Sequence, residues 1–430
     1  MLAFTEKRDF VSKKLSLFLC IILLAGVSHA QQGFPKLLYS DFVQLPSDSL
    51  NTIYYTYKIP LNHLVFEKEA NLFLAQYRIS VEVFDSKDEK FITRSIKEKN
   101  IQVPDYEQTR SPIIFSEGIL TLNLNPGIYS VIEILYDYKS NREMRQPPMD
   151  VKFDTLKNII SPLVIEDQTI ECNGKDSPVL ANYGGQLPFD EDKYSFIIPV
   201  IDKGKDSLFV QIIQNKDTLY RNILTDPIKE TVSLSECGGK VFLDESREKT
   251  GYNLFRIDGV SNHIAEGPFQ IKASLINQPS GQDKFTLACQ WINKPVSLRD
   301  PEMAIEALKF IEKDSVINSL LKGEDKDYEK KLAAYWKKID PTPETEFNPL
   351  MQEFYTRIDY AIRNFKTIAG ANGANTDRGK VYIKFGKPEN IDRTSDNHGN
   401  IIETWTYINP QRKFVFVDKK GTGDFSLISG

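Results

Sequence analysis

Between residues 36 and 295, apolar and polar side chains alternate in short runs, with turn-forming residues between the runs. No other feature constrains the fold as strongly. A period of two places successive side chains on opposite faces of a strand, so one face builds a core and the other meets water. In "ANLFLAQYRISVEVFDSKDEK", Tyr77, Ile79, Val81 and Val83 share a face, and the run ends in a turn rich in Asp and Lys. "GILTLNLNPGIYSVIEILYDYKSNRE" reads as two strands joined at Asn125-Pro126-Gly127, with Leu122 and Leu124 before the turn and Tyr129, Val131, Glu133 and Leu135 after it. "NTIYYTYKIP" alternates and stops at Pro60. "KYSFIIPVID", "DSLFVQIIQNKDTLY", "NLFRIDGV", "PFQIKASLIN" and "KFTLACQWIN" continue the pattern. Short alternating runs with turns at close spacing predict antiparallel β-sandwiches. At 430 residues the chain is long enough for two to four domains.

The pattern changes at Pro295. Asp300-Pro301 opens a helix, with Asp as N-cap and Pro in the first turn, and Ile305, Leu308 and Ile311 follow at helical spacing. A second helix carries Tyr328, Leu332, Tyr335, Trp336 and Ile339 on one side and stops before Asp340-Pro341. Asn348-Pro349 opens a third, with Leu350, Phe354, Ile358, Ala361, Ile362 and Phe365 as its apolar stripe. These stripes suit core contacts. "KVYIKFG" then reads as a strand with Val381, Ile383 and Phe385 on one face, followed by "ETWTYIN", "KFVFVDKK" and a last strand from Thr422 to Leu427. The expected fold is therefore multidomain and mainly β. Two tandem Ig-like β-sandwiches (31–157 and 158–296) precede a helical linker segment (297–347) and a small α+β domain (348–430).

The first thirty residues read as a signal peptide. Lys7, Arg8, Lys13 and Lys14 precede the apolar run "LSLFLCIILLAGV", and small residues Ser28 and Ala30 follow. Thirteen helical residues rise about 20 Å, short of the ~30 Å hydrocarbon core. Leu19 stands before Cys20 where a lipid-anchoring cysteine needs a small residue. Cleavage after Ala30 predicts an exported protein, periplasmic or extracellular, possibly associated with the outer membrane, with no later membrane span. Losing Lys7, Arg8, Lys13 and Lys14 together with Glu6 and Asp9 takes the net charge from −5 to −7. Such a surface excludes a nucleic-acid footprint. Cys172, Cys237 and Cys289 remain. Export permits one disulfide, and Cys172 with Cys237 is the favoured pair; three buried thiols are the alternative. No C-x-x-C occurs, and neither a cofactor nor a metal is expected.

"EFYTRIDYAIRNF", "GANTDRGKVYIKFGKPENI", "ETWTY" and "KFVFVDKKGTGDFSL" together resemble the GWxTD domain family, exported proteins of Bacteroidota and relatives. The matching residues are Gly373, Ala374, Asn375, Thr376, Asp377, Arg378 and Gly379, with Gly386 and Pro388 beyond. Ala374 occupies the place of the motif Trp, whose volume Tyr382 or Trp405 could fill. The likeness covers roughly 300–430. It implies an unassigned function, with Thr376, Asp377, Arg378, Gly379, Gly386 and Pro388 as candidate binding residues. The hairpin pattern is also similar to that of small outer-membrane assembly lipoproteins.

Asp377 admits two roles. It is a general base or ligand beside Arg378, or it accepts backbone N–H groups or pairs with Arg378 to brace the strand entry. Bracing is favoured, because no nucleophile or His is near in sequence. Gly379 and Gly386 are expected to hold positive φ or allow close packing, and because they flank a strand they do not form a phosphate cradle. "DNHGN" reads as a hairpin tip and "FDEDKYS" as a solvated turn. H-E-x-x-H and G-x-S-x-G are absent. No catalytic residue is assigned. The expected function is a non-enzymatic scaffold for a cell-envelope protein partner. The alternative is a carbohydrate-active or other hydrolase with an acidic site around Asp377, in which Glu353, Asp359 and Glu403 join Asp377 as paired acids on a sugar polymer, about 5–10 Å apart.

Overall fold

The computed structural model describes residues 37–430 except 46–51, 156, 173, 202–205, 247–251, 277–280, 369 and 371. The signal-like segment 1–30 lies outside the described residues. The fold is mainly β and multi-layered, with helices gathered in the C-terminal part.

The front sandwich follows from the alternation. β1 (Tyr39–Leu45), β2 (Thr52–Pro60) and β6 (Phe115–Asn123) form one sheet in the order β1-β2-β6. The facing sheet contains β3 (Glu67–Glu69), β4 (Leu72–Asp85), β5 (Phe91–Val103), β7 (Gly127–Asp137), β8 (Arg142–Arg145) and β9 (Met149–Phe153). Tyr55, Tyr57 and Ile59 of β2 pack in one core with Tyr77, Ile79, Val81 and Val83 of β4 and with Val131 and Leu135 of β7. Glu133 continues the same face of β7 and is buried. A one-turn helix, α1 (Tyr106–Thr109), lies between β5 and β6.

The second β-unit is more closed than a plain sandwich. β10 (Leu163–Cys172), β11 (Lys175–Leu180), β17 (Lys240–Ser246), β16 (Ile228–Cys237), β18 (Tyr252–Ile257) and β13 (Tyr194–Val200) close into a barrel in that order. β12 (Leu187–Pro188), β20 (Asp283–Gln290), β19 (Gly267–Leu275), β14 (Ser207–Gln214) and β15 (Asp217–Thr225) form a five-stranded sheet beside it. β13 is buried along its whole length. Phe196, Ile198 and Val200 share the core of the five-stranded sheet, and Ile197 shares that of the barrel. Cys172 and Cys237 form a disulfide, and Cys289 is a buried free thiol.

The helices do not hang from this unit as a tether. α2 (Pro301–Ala307), α3 (Asp314–Leu320), α4 (Tyr328–Lys338) and α5 (Pro349–Asn364) contribute Ile305, Ile317, Leu332, Trp336, Phe354 and Ile358 to a core continuous with Phe269 and Ile271 of β19. Asp300 and Asn348 cap α2 and α5 as expected. α2 tightens into a 3₁₀ turn at Leu308, so the expected stripe breaks and Ile311 is exposed. Among the described residues, no helix is long and apolar enough to cross a membrane.

The main departure is at "KVYIKFG". The expected strand is a helix, α6 (Asp377–Phe385). Beyond it, β21 (Asn390–Ser395), β22 (Ile401–Tyr407), β23 (Arg412–Asp418) and β24 (Ser426–Ser429) make a four-stranded antiparallel sheet. α5 and α6 supply one wall of its core and Trp405, Tyr407, Phe414 and Phe416 the other.

Candidate functional site

The motif begins where α5 ends. Phe365 stops α5 at its C-cap, and a 3₁₀ turn over Gly373–Asn375 follows. Asn372 Oδ1 accepts the Ala374 N–H at 3.0 Å and opens that turn. Thr376 is then the N-cap of α6: its Oγ1 accepts the Gly379 N–H at 3.1 Å and donates to Gly373 O at 2.7 Å. Capping of this kind satisfies one of the four free N–H groups at a helix start. Thr376 therefore sets the start of the helix.

Gly379 sits inside α6 with ordinary helical backbone, so positive φ is not its purpose. A Cβ there would lie 2.0 Å from Gly373 O. At Gly373 a Cβ would lie 2.1 Å from Ala361 O. The end of α5, the 3₁₀ turn and α6 thus touch backbone to backbone, and Ala374 is buried at that contact. Gly386 is different: it ends α6 with φ +79°, and its carbonyl accepts the Tyr407 hydroxyl at 2.9 Å. The buried Pro388 follows, where a helix cannot continue. The two glycines do not flank a strand; Gly379 lies within a helix and Gly386 terminates it.

Asp377 and Arg378 part company. Asp377 is on the outer side, its side chain 41% exposed; Oδ2 accepts the Leu427 N–H at 3.0 Å and Oδ1 lies 3.3 Å from Lys380 Nζ. It ties the start of α6 to β24. Arg378 turns inward. Its Nη2 donates to Gly423 O at 3.1 Å, and its guanidinium lies 4.0 Å from the Phe425 ring centroid and 5.3 Å from that of Phe365. Nη1 is 3.5 Å from Glu403 Oε2. Burial pushes the guanidinium pKa down, and the Glu403 charge opposes that shift. The expected Asp377–Arg378 brace is therefore two braces running in different directions.

Glu403 is the hub. Its Oε2 also receives Arg393 Nε at 2.8 Å, and its Oε1 accepts the Trp405 indole N–H at 2.6 Å. Arg393 and Glu403 are directly opposed in the β21–β22 ladder. Sequence reasoning missed this pair, although the hairpin spacing around "DNHGN" would have located it. It also missed Asp418, whose buried carboxylate accepts the N–H groups of Lys420, Thr422 and Gly423 at 3.1, 3.2 and 2.7 Å. Burial raises its pKa, but these bonds outweigh it and hold the carboxyl below the usual range. The turn that Asp418 builds presents the Gly423 carbonyl to Arg378.

The four acids of the alternative reading have separate tasks. Glu353 pairs with Arg357 at 2.6 Å. Asp359 accepts the Val296 and Ser297 N–H groups at 2.5 and 3.0 Å and holds the 3₁₀ turn there. Asp377 and Glu403 are engaged as described. Asp396 closes the "DNHGN" tip by accepting the His398 and Asn400 N–H groups. Asp190, read as part of a solvated turn, is half-buried: burial pushes its carboxyl up to about 6 against the Tyr194 hydroxyl bond. Two hollows lie beside Asp190 and between β1 and the 182–186 loop, and no motif residue lines either. Among the described residues, no group of three or more His, Cys, Asp or Glu side chains is placed to hold a metal ion.

Fold and site thus define a mainly-β protein whose C-terminal helix-and-sheet unit closes on an inward-facing arginine at a Thr-capped helix. Residues 277–427 match the family model of the GWxTD domain, and the chain is a GWxTD domain-containing protein. The match starts upstream of the motif-based span and takes in β20 and all of α2–α6. No curated protein matches the chain.

Proposed function

We propose that this is an exported, non-enzymatic envelope protein that scaffolds or docks a protein partner. The observation carrying this reading is the fate of the motif: Thr376 caps a helix, Arg378 serves Glu403 and Gly423, and Asp377 secures β24. Groups engaged in this way hold a shape and leave no acid–base pair poised for substrate. Export is supported by the three-part pattern of residues 1–30 and is compatible with the disulfide. Exposed sheet edges supply binding geometry, notably β21, where all six residues are exposed. The net negative charge favours a protein partner over a nucleic acid.

The test is cross-linking in intact cells followed by purification of the tagged full chain from envelope fractions. The expected result is a mature N-terminus at Gln31 and a reproducible envelope protein in the cross-linked product. Recovery of the chain from the cytoplasm, or repeated isolation without any partner, overturns the proposal. The hydrolase alternative requires two carboxylates facing one space, and the separate partners of Glu353, Asp359, Asp377 and Glu403 weigh against it.

A further inference from the structure

The hairpin of β16 and β17 carries three anchors within five residues, Glu236-Cys237-Gly238-Gly239-Lys240. Glu236 is gripped by two lysines of the front sandwich: Oε2 is 2.6 Å from Lys97 Nζ and Oε1 is 2.6 Å from Lys99 Nζ, both on β5. Lys240 reaches back to the buried Glu117 of β6 at 2.9 Å. Glu117 also faces Lys58 of β2 at 3.6 Å. Lys97 and Lys99 additionally donate to the carbonyls of Ile119 and Glu117 on β6. Gly118 makes the approach possible, because a Cβ there would lie 3.0 Å from the Glu236 carboxylate and nearer still to the Tyr57 ring. The docking charges of the second β-unit are therefore concentrated at one hairpin tip.

Between those two charges sits Cys237, bonded to Cys172 at the end of β10. β10 and β11 form a second hairpin, with Cys172 opposite Lys175 next to its turn. The ladder between the two hairpins is thin: β11 meets β17 through a single pair, Val179 with Phe242. The tips are joined covalently where the ladder does not reach. Gly238 and Gly239 at the turn have φ +57° and +78°, and a Cβ at either would meet nothing within 4 Å. Without the bond, the tip keeps only its own ladder and these ion pairs. Deeper in the joint, Val232, Leu234, Val241 and Leu243 of the hairpin share a core with Val43 and Leu45 of β1. That apolar contact does not depend on the disulfide.

We propose that the Cys172–Cys237 disulfide is a redox clasp. It holds the β16–β17 tip where Glu236 and Lys240 dock the front sandwich, and its reduction loosens that joint while the rest of the fold stays intact. The reductant is a dithiol. Its thiolate attacks the sulfur of Cys237, a half-buried residue, and displaces the Cys172 thiolate, giving a mixed disulfide. The second thiol of the reductant resolves this, so two electrons and two protons pass to the protein and the reductant leaves as its own disulfide. Reduction removes the covalent tie across a separation of 65 residues and restores freedom to the tip.

Hydrogen exchange of the full chain, with and without dithiothreitol, tests the clasp, with alkylation and mass measurement confirming that both thiols are free. Peptides over 91–103, 115–123 and 228–246 are expected to exchange about tenfold faster or more on reduction, with 127–137 and 349–364 unchanged. Glu236→Gln combined with Lys240→Met should loosen 91–103 and 115–123 with the disulfide intact. Unchanged exchange of those two segments after complete reduction overturns the proposal. So does loss of protection across the whole chain, which would make the bond a global staple, and so does a charge-removal variant whose joint behaves as in the parent protein.

Discussion

Arg378 and Glu403 face each other at 3.5 Å, their side chains 9% and 2% exposed, and the C-terminal unit closes around them. Arg378 comes from the first turn of α6 and Glu403 from the middle of β22, so the contact fastens helix to sheet. Arg393 and the Trp405 indole complete the bonding of the carboxylate; Gly423 and Phe425 add to that of the guanidinium, whose buried Nε has no hydrogen-bond partner. A buried charge is tolerated only with such company.

Removing one member of this pair should therefore be severe. Glu403→Gln is expected to cost about 3–5 kcal/mol, because it leaves the Arg378 charge buried without its carboxylate, and Arg378→Met to cost less, because Arg393 at 2.8 Å still pairs with Glu403. The double variant should recover part of the loss. Urea denaturation of the three variants measures it. A loss in the double variant equal to the sum of the two single losses would show that the two residues do not act as a pair.

Gly379→Ala tests the backbone contact. On propensity alone, alanine favours a helix over glycine by up to ~1 kcal/mol. Here the added carbon would stand 2.0 Å from Gly373 O, and overpacking against backbone costs about 1–3 kcal/mol or more. The expected sign is destabilisation, seen as a lower melting temperature. A higher one would mean that α6 can move away from the 3₁₀ turn.

Asp377→Asn should matter little. Its carboxylate is 41% exposed and its partners are Lys380 and one backbone N–H. Contacts of this kind are worth ~1 kcal/mol or less. A loss of several kcal/mol in the same denaturation assay would contradict the division of roles between Asp377 and Arg378.

Trp405→Ala should cost about 3–5 kcal/mol. The indole is 1% exposed, with Phe365, Tyr382 and Phe416 around it at 5.5, 6.4 and 4.9 Å between ring centroids. A far smaller loss would mean that the neighbouring rings collapse into the space.

Lys58 gives the front joint a pH signature. The residue is 1% exposed, and its ammonium donates to Ala181 O at 2.9 Å and lies over the Tyr183 ring at 3.9 Å. Burial pushes its pKa down to about 8 from the ordinary 10.5, with Glu117 opposing the shift. Between those values the unfolded chain binds the proton and the folded one releases it, so this group makes stability rise with pH across the window. Below pH 8 both states are protonated and the slope vanishes. Denaturation at pH 7.5 and 9.5 should show a gain in the parent protein that Lys58→Met lacks. The same pH dependence in both proteins would remove Lys58 as its source.

Much of the fold is legible in residue order. Tyr77, Ile79, Val81 and Val83 alternate and are buried together, Asp300 and Asn348 announce helices that they do cap, and Asp396 closes the turn its neighbours suggest. "KVYIKFG" fails because seven residues with a mixed apolar pattern fit either period. Thr376 followed by Asp377 is a helix-start signal in its own right, outweighed in that reading by the apparent alternation of Val381, Ile383 and Phe385.

What residue order determined was local: strand and helix periodicity, most caps and turns, and the place of the motif. The direction of each motif side chain was decided in three dimensions. Asp377 and Arg378 are neighbours in the chain, yet one reaches Leu427 and the other Glu403. Likewise, Glu236 and Lys240 acquire their importance only when β5 and β6 arrive beside them. The reason is physical. Backbone preferences act over a few residues, whereas a buried charge takes its partner from whichever element folding brings within bonding distance.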